Sequence, residues 1–205
     1  MNDFIVNVLS SAVEFRSMET GDHINRVTLL TYVTLRELMF RYPSYAITEE
    51  QAHLISRAAA LHDLGKIAIA DHILLKPGRL TDEEFAEMRK HTLYGCDILN
   101  RFENKEDPFY RYCYDICRYH HERYDGRGYP DGLSGEDIPL WAQVVSVVDV
   151  YDALINVRSY KPAYAPEEAL RMIRDGECGS FSPRILECFE AALRRPELSA
   201  DVSVG

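Results

Sequence analysis

The sequence contains no run of about 18 apolar residues, which is the length that a membrane-spanning helix needs. Its first residues also lack the basic segment that opens a secretory signal peptide. The five cysteines include no CxxC pair, and disulfide frameworks belong mainly to small secreted chains. We therefore expect a cytoplasmic protein with reduced thiols and no membrane partner.

An excess of basic residues is also absent. The chain has 23 Lys and Arg against 33 Asp and Glu, a net charge of −10, which argues against binding a nucleic acid polymer. A phosphate-bearing substrate would need a local cationic site. The 205 residues, 46% hydrophobic and 27% charged, are enough to fold as one globular domain without a disulfide or a metal.

Alternating strand patterns are missing too, and the apolar spacing predicts an all-α fold. VVSVV at 144–148 has a strand-like composition, but it lies in a longer helical pattern. Capping boxes at Thr48–Gln51 and Thr81–Glu84 each open a helix. The predicted helices cover 1–18, 21–42, 49 to the LHDLGK segment at 61–66, 82–102, 108–121 and 139–156, and two more begin at Pro166 and Pro183.

One long segment has no helical pattern. Residues 122–138, ERYDGRGYPDGLSGEDI, are rich in Gly, Pro and Asp, which predicts a loop. A loop of this length inside a tight helical domain is commonly functional.

The histidines suggest a metal centre with more than one ion. His62 and Asp63 are adjacent at the end of an apolar helix, and His120 and His121 are adjacent just before the loop. Neighbouring helical residues point about 100° apart, so each pair can address two ions, or one ion from neighbouring directions. Imidazole and carboxylate together suit Zn, Mn, Fe and Ni. Glu19 and His23 can share one helical face. Asp149 is a carboxylate among apolar residues, where it needs a cation or several hydrogen-bond donors.

Five motifs in this order resemble the HD-GYP phosphodiesterases of the HD phosphohydrolase superfamily. They are ETGDH (19–23), LHDLGKIAI (61–69), LLKPGRLTDEEFAEMRKHTLYGCDIL (74–99), HHERYDGRGYPDGLSGEDIPL (120–140) and VVDVYDALINVRSYKPAY (147–164). The resemblance covers roughly residues 16–190. It implies an all-α, HD-type helical bundle with additional helices and the loop at 122–138, which we call the GYP loop.

The resemblance also implies a set of metal ligands. Asp63 would bridge two ions, and Glu19 stands where family members with three metals have an additional Glu; alternatively, Glu19 only orients His23. Fe or Mn is the expectation, with Zn or Ni as alternatives, and His53 and His72 match no ligand. The ligand positions carried over are Glu19, His23, His62, Asp63, His91, His120, His121 and Asp149.

Further positions match family residues that handle substrate. Lys66 matches a lysine near the scissile phosphate, and Arg158 and Lys161 match phosphate-contacting positions. Asp152 either positions the attacking water and assists proton transfer or makes a hydrogen bond along its helix. Tyr129 either packs against a guanine base or anchors the GYP loop.

The implied activity is metal-dependent hydrolysis of cyclic di-GMP to pGpG and, in some members, onward to GMP. The alternatives are a phosphodiesterase for another cyclic dinucleotide, such as cyclic GMP-AMP, and a non-catalytic module that binds cyclic di-GMP or a partner. The implied partners are a receiver or sensor domain and a diguanylate cyclase at the GYP loop. The apolar stripe of the first helix packs either on a second copy of the chain or on its own domain. We divide the chain into an N-terminal helix (1–18) that is a candidate interdomain linker, the phosphodiesterase domain (19–195) and a flexible tail (196–205).

Overall fold

The computed structural model describes residues 3–17, 22–157 and 163–195. This part of the chain contains only helices and loops, which confirms the predicted all-α fold. The α-helices are α1 (Asp3–Ser17), α2 (His23–Arg41), α3 (Glu49–Ala59), α4 (Asp71–Leu74), α5 (Asp82–Arg89), α6 (His91–Leu99), α7 (Pro108–Tyr119), α8 (Leu140–Ile155), α9 (Pro166–Arg174) and α10 (Pro183–Leu193), and short 3-10 helices cover Pro43–Tyr45, Leu64–Ala68 and Gly135–Asp137.

Helix α2 lies at the centre of the bundle, where it packs against α3, α8 and α10. Helix α7 packs against α3, α6 and α8 and so closes the core on the other side. The segment 144–148 is helical and buried in the middle of α8, as its pattern predicts. Because α8 is apolar nearly all round, it is covered by its neighbours and can carry a carboxylate into the interior of the bundle.

Both predicted capping boxes are confirmed. Thr48 Oγ1 accepts a hydrogen bond from the Gln51 backbone N–H at 3.2 Å, and the Gln51 side chain accepts one from the Thr48 N–H at 2.9 Å. Thr81 and Glu84 make the same reciprocal pair at the start of α5. These caps satisfy backbone donors that the first turn of a helix leaves unpaired.

Two predicted helices were wrong in their extent. The helix predicted over 82–102 is divided at Lys90 into α5 and α6, so His91 stands in the first turn of a new helix. The helix predicted to end in LHDLGK ends instead at Ala59, and the chain continues through tight turns into the 3-10 helix Leu64–Ala68. His62 and Asp63 therefore lie in a turn, where their directions differ from those on a regular α-helix.

Gly65 explains why this turn can approach α6 so closely. A Cβ atom built on Gly65 would lie 1.8 Å from the backbone oxygen of His91 and 2.4 Å from the backbone nitrogen of Gly95. Glycine commonly follows the last turn of a helix, but Gly65 has a different use here. It lets the backbone after Asp63 touch the backbone of His91.

A buried carboxylate holds the two arms of the GYP loop together, and an ion pair binds the loop to α7. Glu122 Oε1 accepts hydrogen bonds from the backbone N–H groups of Asp131 and Gly132 at 2.7 and 3.0 Å. Arg118 binds the Asp131 carboxylate with two hydrogen bonds of 2.8 Å. The loop predicted from composition is thus a well-anchored segment, and Asp131 binds it to α7, the helix that precedes it.

Helix α1 has one buried and one exposed apolar side. Val6, Ser10, Val13 and Glu14 are buried against the domain, whereas Phe4, Ile5, Val8, Leu9 and Phe15 are exposed. None of the helices in the described ranges is long and apolar enough to cross a membrane.

Candidate metal centre

Residues from five parts of the chain converge at one end of the bundle. His23 begins α2, His62 and Asp63 follow α3, and His91 begins α6. His120 and His121 follow α7, and Asp149 lies in the middle of α8. Most of the predicted ligands thus lie at helix ends and in tight turns. Side chains at these positions can point into the space between the helices.

The ligand atoms form two clusters that share Asp63. One cluster contains His23, His62 and Asp63, and the other contains Asp63, His91, His120 and His121. Within each cluster the candidate donor atoms lie within 4.8 Å of one another. Asp63 Oδ2 is 3.2 Å from His62 Nε2, and Asp63 Oδ1 is 3.3 Å from His91 Nε2. The carboxylate therefore turns one oxygen to each side.

Two predicted ligands stand outside these clusters. Asp149 Oδ1 lies 3.7 Å from His62 Nε2, next to the first cluster without being part of it. Glu19 lies outside the described residues, as do the predicted phosphate contacts Arg158 and Lys161. The structure therefore brings together six of the eight predicted ligands and sets a seventh beside them.

Four of the histidine rings are oriented through Nδ1. His62, His91 and His120 each make a hydrogen bond of 2.8 Å from Nδ1 to a backbone oxygen, those of Ala59, Met88 and Ile116 respectively. His23 Nδ1 instead contacts Asp152 Oδ2 at 2.7 Å. An Nδ1–H donated to oxygen leaves the Nε2 lone pair for a metal, which is the usual arrangement of histidine ligands.

The electrostatics of the second cluster favour the protonation states that bind metals. Burial lowers the pKa of His91, and burial together with neighbouring His62 lowers the pKa of His120 to about 3. The pKa of His121 lies well below its ordinary value through burial and the adjacent His120. Burial raises the pKa of Asp63, but Lys66 and His62 outweigh it and hold that pKa well below its usual range. Neutral imidazoles and an ionised carboxylate result.

His62 differs from these rings. Burial lowers its pKa, but the Asp63 carboxylate outweighs burial and raises the pKa to about 9. A metal that binds His62 must therefore displace a proton.

Buried atoms without partners indicate that a cation fits here. His23 Nε2, His62 Nε2 and Asp63 Oδ1 are buried and make no hydrogen bond within the described part of the chain. An unpaired buried polar group is costly, and all three atoms belong to the two clusters. Imidazole nitrogen and carboxylate oxygen are donors suited to divalent transition metals, so the residues fit the predicted metal centre.

Asp152 is bound from several sides. Its carboxylate contacts His23 Nδ1, accepts hydrogen bonds from Arg26 Nε and Nη2, and accepts another from the Asn156 side chain at 3.1 Å. Burial raises the pKa of Asp152, but the hydrogen bonds from His23 and Arg26 outweigh it and keep the pKa below its ordinary value. These contacts favour the interpretation of Asp152 as a hydrogen-bonding residue over that of a residue that positions water.

The predicted substrate lysine lies at the shared carboxylate. Lys66 Nζ is 2.7 Å from Asp63 Oδ2, and its side chain retains 14% of its exposure. A cation at this position is next to both clusters and still reaches the surface.

Tyr129 contacts the site from the GYP loop. Its ring stacks on His121 with ring centroids 4.7 Å apart, and the Arg89 guanidinium lies 4.4 Å from the Tyr129 centroid. The Tyr129 backbone N–H donates to the His121 oxygen at 3.3 Å. These contacts favour the interpretation in which Tyr129 anchors the loop over the one in which it packs against a guanine base.

Sequence reasoning missed the residues that support the site. The sequence patterns assign no role to Arg26 or Arg89, and they place Glu122 only in the loop. Arg123 is largely buried and donates to the backbone oxygens of His120 and Glu122 and to Ser146 Oγ. The HHER run at 120–123 offered one signal, since a Glu and an Arg directly after two predicted ligands are close enough to be buried with them.

Comparison with known proteins gives matches over most of the chain. A family model described as "HD domain" matches residues 43–184. The chain is 41% identical over 194 residues to a cyclic di-GMP phosphodiesterase of Vibrio cholerae, covering 92% of this chain and 39% of that protein. It is 40% identical to a 3'3'-cGAMP-specific phosphodiesterase of the same organism, covering 89% of this chain and 33% of that protein.

A solved structure shares the fold. A cyclic GMP-AMP specific phosphodiesterase of V. cholerae (V-cGAP3) superimposes with a TM-score of 0.68 at 17% identity, covering 98% of this chain and 51% of that one. These matches confirm the family resemblance predicted from the motifs. The chain spans less than half the length of the curated relatives that it matches.

Proposed function

The chain belongs to the HD domain family, and on that premise we propose that it is the hydrolytic part of a metal-dependent phosphodiesterase that acts on cyclic di-GMP. The observation that carries the proposal is the pair of histidine clusters that share Asp63. The 41% identity to a cyclic di-GMP phosphodiesterase supports the choice of substrate.

The proposed centre holds one ion at His23, His62 and Asp63 and another at Asp63, His91, His120 and His121. Asp149 would complete the first site from its position beside His62. Bound ions would neutralise phosphoryl oxygens and lower the pKa of a water molecule. Fe or Mn is proposed, with Zn or Ni as alternatives, because all four accept mixed imidazole and carboxylate donors.

The chain's own residues would orient the histidine rings and neutralise the charge of the substrate. The backbone oxygens and the Asp152 carboxylate fix the ring directions, so that the Nε2 atoms face a common space. Lys66, beside Asp63, would hold a phosphate oxygen at the edge of that space. Arg158 and Lys161 are proposed to contact the same phosphate, and Glu19 to bind a third ion.

Turnover and metal content test the proposal together. The purified chain is reconstituted anaerobically with Fe(II) or Mn(II), its metal is measured by elemental analysis, and hydrolysis of cyclic di-GMP and 3'3'-cGAMP is followed by chromatography. We expect two or three ions per chain, a kcat/KM for cyclic di-GMP at least about 10-fold higher than for 3'3'-cGAMP, and pGpG as the first product.

Other outcomes identify the alternatives. The reverse preference would support a cyclic GMP-AMP phosphodiesterase, which the 40% identity to a cGAMP-specific relative favours as the second candidate. Binding of cyclic di-GMP to the fully loaded protein without turnover would contradict the enzymatic proposal and support a binding module. A single ion per chain would contradict the two-cluster centre.

The partners implied by the sequence stay predictions. A receiver or sensor domain would join the chain at α1, a diguanylate cyclase would contact the GYP loop, and a second copy would pack on the exposed apolar side of α1. Sedimentation of the wild type and a Phe4→Ser/Val8→Ser variant tests the last of these, and equal masses would contradict it.

A further inference from the structure

One side chain of helix α1, that of Arg16, binds the backbone of the segment that carries Lys66, the proposed substrate lysine. The Arg16 guanidinium donates hydrogen bonds to the backbone oxygens of Lys66, at 2.8 Å, and of Ile67 and Ile69. It also contacts Asp71 Oδ1 at 2.8 Å. We propose that Arg16 is a positioning residue, which fixes the backbone after Asp63 so that the Lys66 ammonium stays beside the shared carboxylate.

The chemistry of this contact suits an arginine and no other residue. The 3-10 helix Leu64–Ala68 is short, and its last carbonyl groups have few intrahelical donors. A guanidinium has five N–H donors in one rigid plane, so it can serve several carbonyl oxygens at once. A lysine has a single point of charge and would reach only part of this set.

The ion pair with Asp71 is the lesser part of the contact. The Asp71 side chain is 71% exposed, and exposed pairs of this kind contribute little. The backbone oxygens are the contacts that act on the position of Lys66, since they belong to Lys66 itself and to residues within three positions of it.

A second contact places the same turn of α1 against the other side of the site. Glu14 is buried, and its Oε1 accepts a hydrogen bond of 3.0 Å from the backbone N–H of Ile24, the residue after His23. A small cavity between α1 and the site is lined by Val13, Glu14, His23 and Asp63, among others. Two residues of α1 thus hold the backbone next to a metal ligand and next to the substrate lysine.

These contacts tie α1 to the proposed hydrolytic unit, whereas the role of 1–18 as an interdomain linker stays a prediction. A displacement of α1 would release the carbonyl groups of the Lys66 segment and let the ammonium move away from Asp63. The inference rests on the proposed function wherever turnover is the readout.

The experiment compares Arg16→Ala, Arg16→Lys, Lys66→Ala and the double variant Arg16→Ala/Lys66→Ala with the wild type. Arg36→Ala is the matched control, because Arg36 is an exposed arginine on α2 whose nearest carboxylate, that of Glu49, is 4.0 Å away. Asp71→Ala separates the ion pair from the carbonyl contacts. Hydrogen exchange of the amides at 66–70, metal content and steady-state kinetics are measured for each protein, with circular dichroism as a check of folding.

We expect Arg16→Ala to speed amide exchange at 66–70 and to lower kcat/KM about 10- to 100-fold at full metal loading, the cost of a small misplacement of a reacting group. The double variant should lose no more activity than Lys66→Ala alone, and added guanidinium ion should restore part of the activity of Arg16→Ala. The amide exchange and the kcat/KM of Arg16→Lys should lie between those of Arg16→Ala and the wild type. Arg36→Ala and Asp71→Ala should resemble the wild type in both.

The proposal would be overturned by unchanged amide exchange at 66–70 in Arg16→Ala. It would also be overturned if the losses of kcat/KM of the two single variants simply add in the double variant. If Arg16→Ala does not fold, Arg16→Lys is measured in its place against the same control. The exchange measurement needs no substrate, so it decides the role of Arg16 even if the wild type hydrolyses no cyclic di-GMP.

Discussion

The two halves of the histidine centre differ in how their rings are held, although His62, on the side of His23, is also bound locally, to the Ala59 oxygen. On the side of His91 and His120, each ring is hydrogen-bonded to a backbone oxygen three or four residues earlier in its own segment. On the other side, His23 is held by a carboxylate that comes from α8, 129 residues away in the chain. The first kind of support is local, and the second depends on the packing of two helices.

This difference predicts unequal tolerance to substitution. No side-chain substitution removes a backbone oxygen, so the rings of His91 and His120 keep their directions unless the helix itself changes. His23 depends on Asp152, and Asp152 depends on Arg26 and Asn156. The His23 side of the centre should therefore be the easier side to break, whereas loss of Asp63, which both clusters share, should affect both sides.

The largest effect is expected for Asp63→Asn, which removes the carboxylate that both clusters share and should therefore weaken both sides of the centre alike. Loss of one partner from a buried ion pair costs about 3–5 kcal/mol, which corresponds to roughly a 10²- to 10⁴-fold loss of metal affinity. The metal content measured by elemental analysis and the rate of turnover should both fall, while the helical circular dichroism signal is retained. Asp71→Asn, at an exposed carboxylate, is the control. Normal metal content in Asp63→Asn would refute the shared-ligand assignment.

A smaller and one-sided effect is expected for Asp152→Asn. The amide is neutral and has only one acceptor oxygen, so it cannot replace both carboxylate oxygens that bind His23 and Arg26. Loss of such a support typically lowers metal affinity about 10- to 100-fold. Metal titration should show one class of ion weakened and the other unchanged. Asp175→Asn, at an exposed ion pair with Arg171, controls for the change of charge. Equal weakening of both classes would show that the two sides are not supported independently.

The smallest effect is expected at the GYP loop. Tyr129→Ala removes the ring that stacks on His121, and an aromatic pair is worth about 0.5–1.5 kcal/mol, roughly a 2- to 12-fold loss of affinity at the second cluster. Tyr129→Phe keeps the ring and should behave as the wild type. If Tyr129→Phe loses as much as Tyr129→Ala, the hydroxyl and not the stacking is the functional group.

Local rules predicted the local features of this chain. The capping boxes at Thr48 and Thr81 were read correctly, because a cap depends on residues within three positions. The division at Lys90 was missed, since the apolar pattern continues across it and nothing in the neighbouring residues breaks a helix. The motifs named six of the proposed metal ligands that the structure gathers, because the motif order carries information that periodicity lacks.

Long-range supports could not be predicted in this way. The contact of Asp152 with His23 joins residues far apart in the sequence, and it depends on how α2 and α8 cross. Arg16 in α1 resembled any charged residue on a helix, and only its position against the Lys66 segment distinguishes it. Residues that act through another residue leave no spacing pattern of their own.

The close contact at Gly65 has a consequence for how this chain can change over generations. A side chain at this position would have to displace the backbone of His91, which lies within 1.8 Å of where its first carbon would be. Helix α6 would move and carry a metal ligand with it. Position 65 is therefore closed to gradual substitution: a lineage that loses the glycine must rebuild the spacing between two segments at once, or give up the chemistry while retaining the bundle.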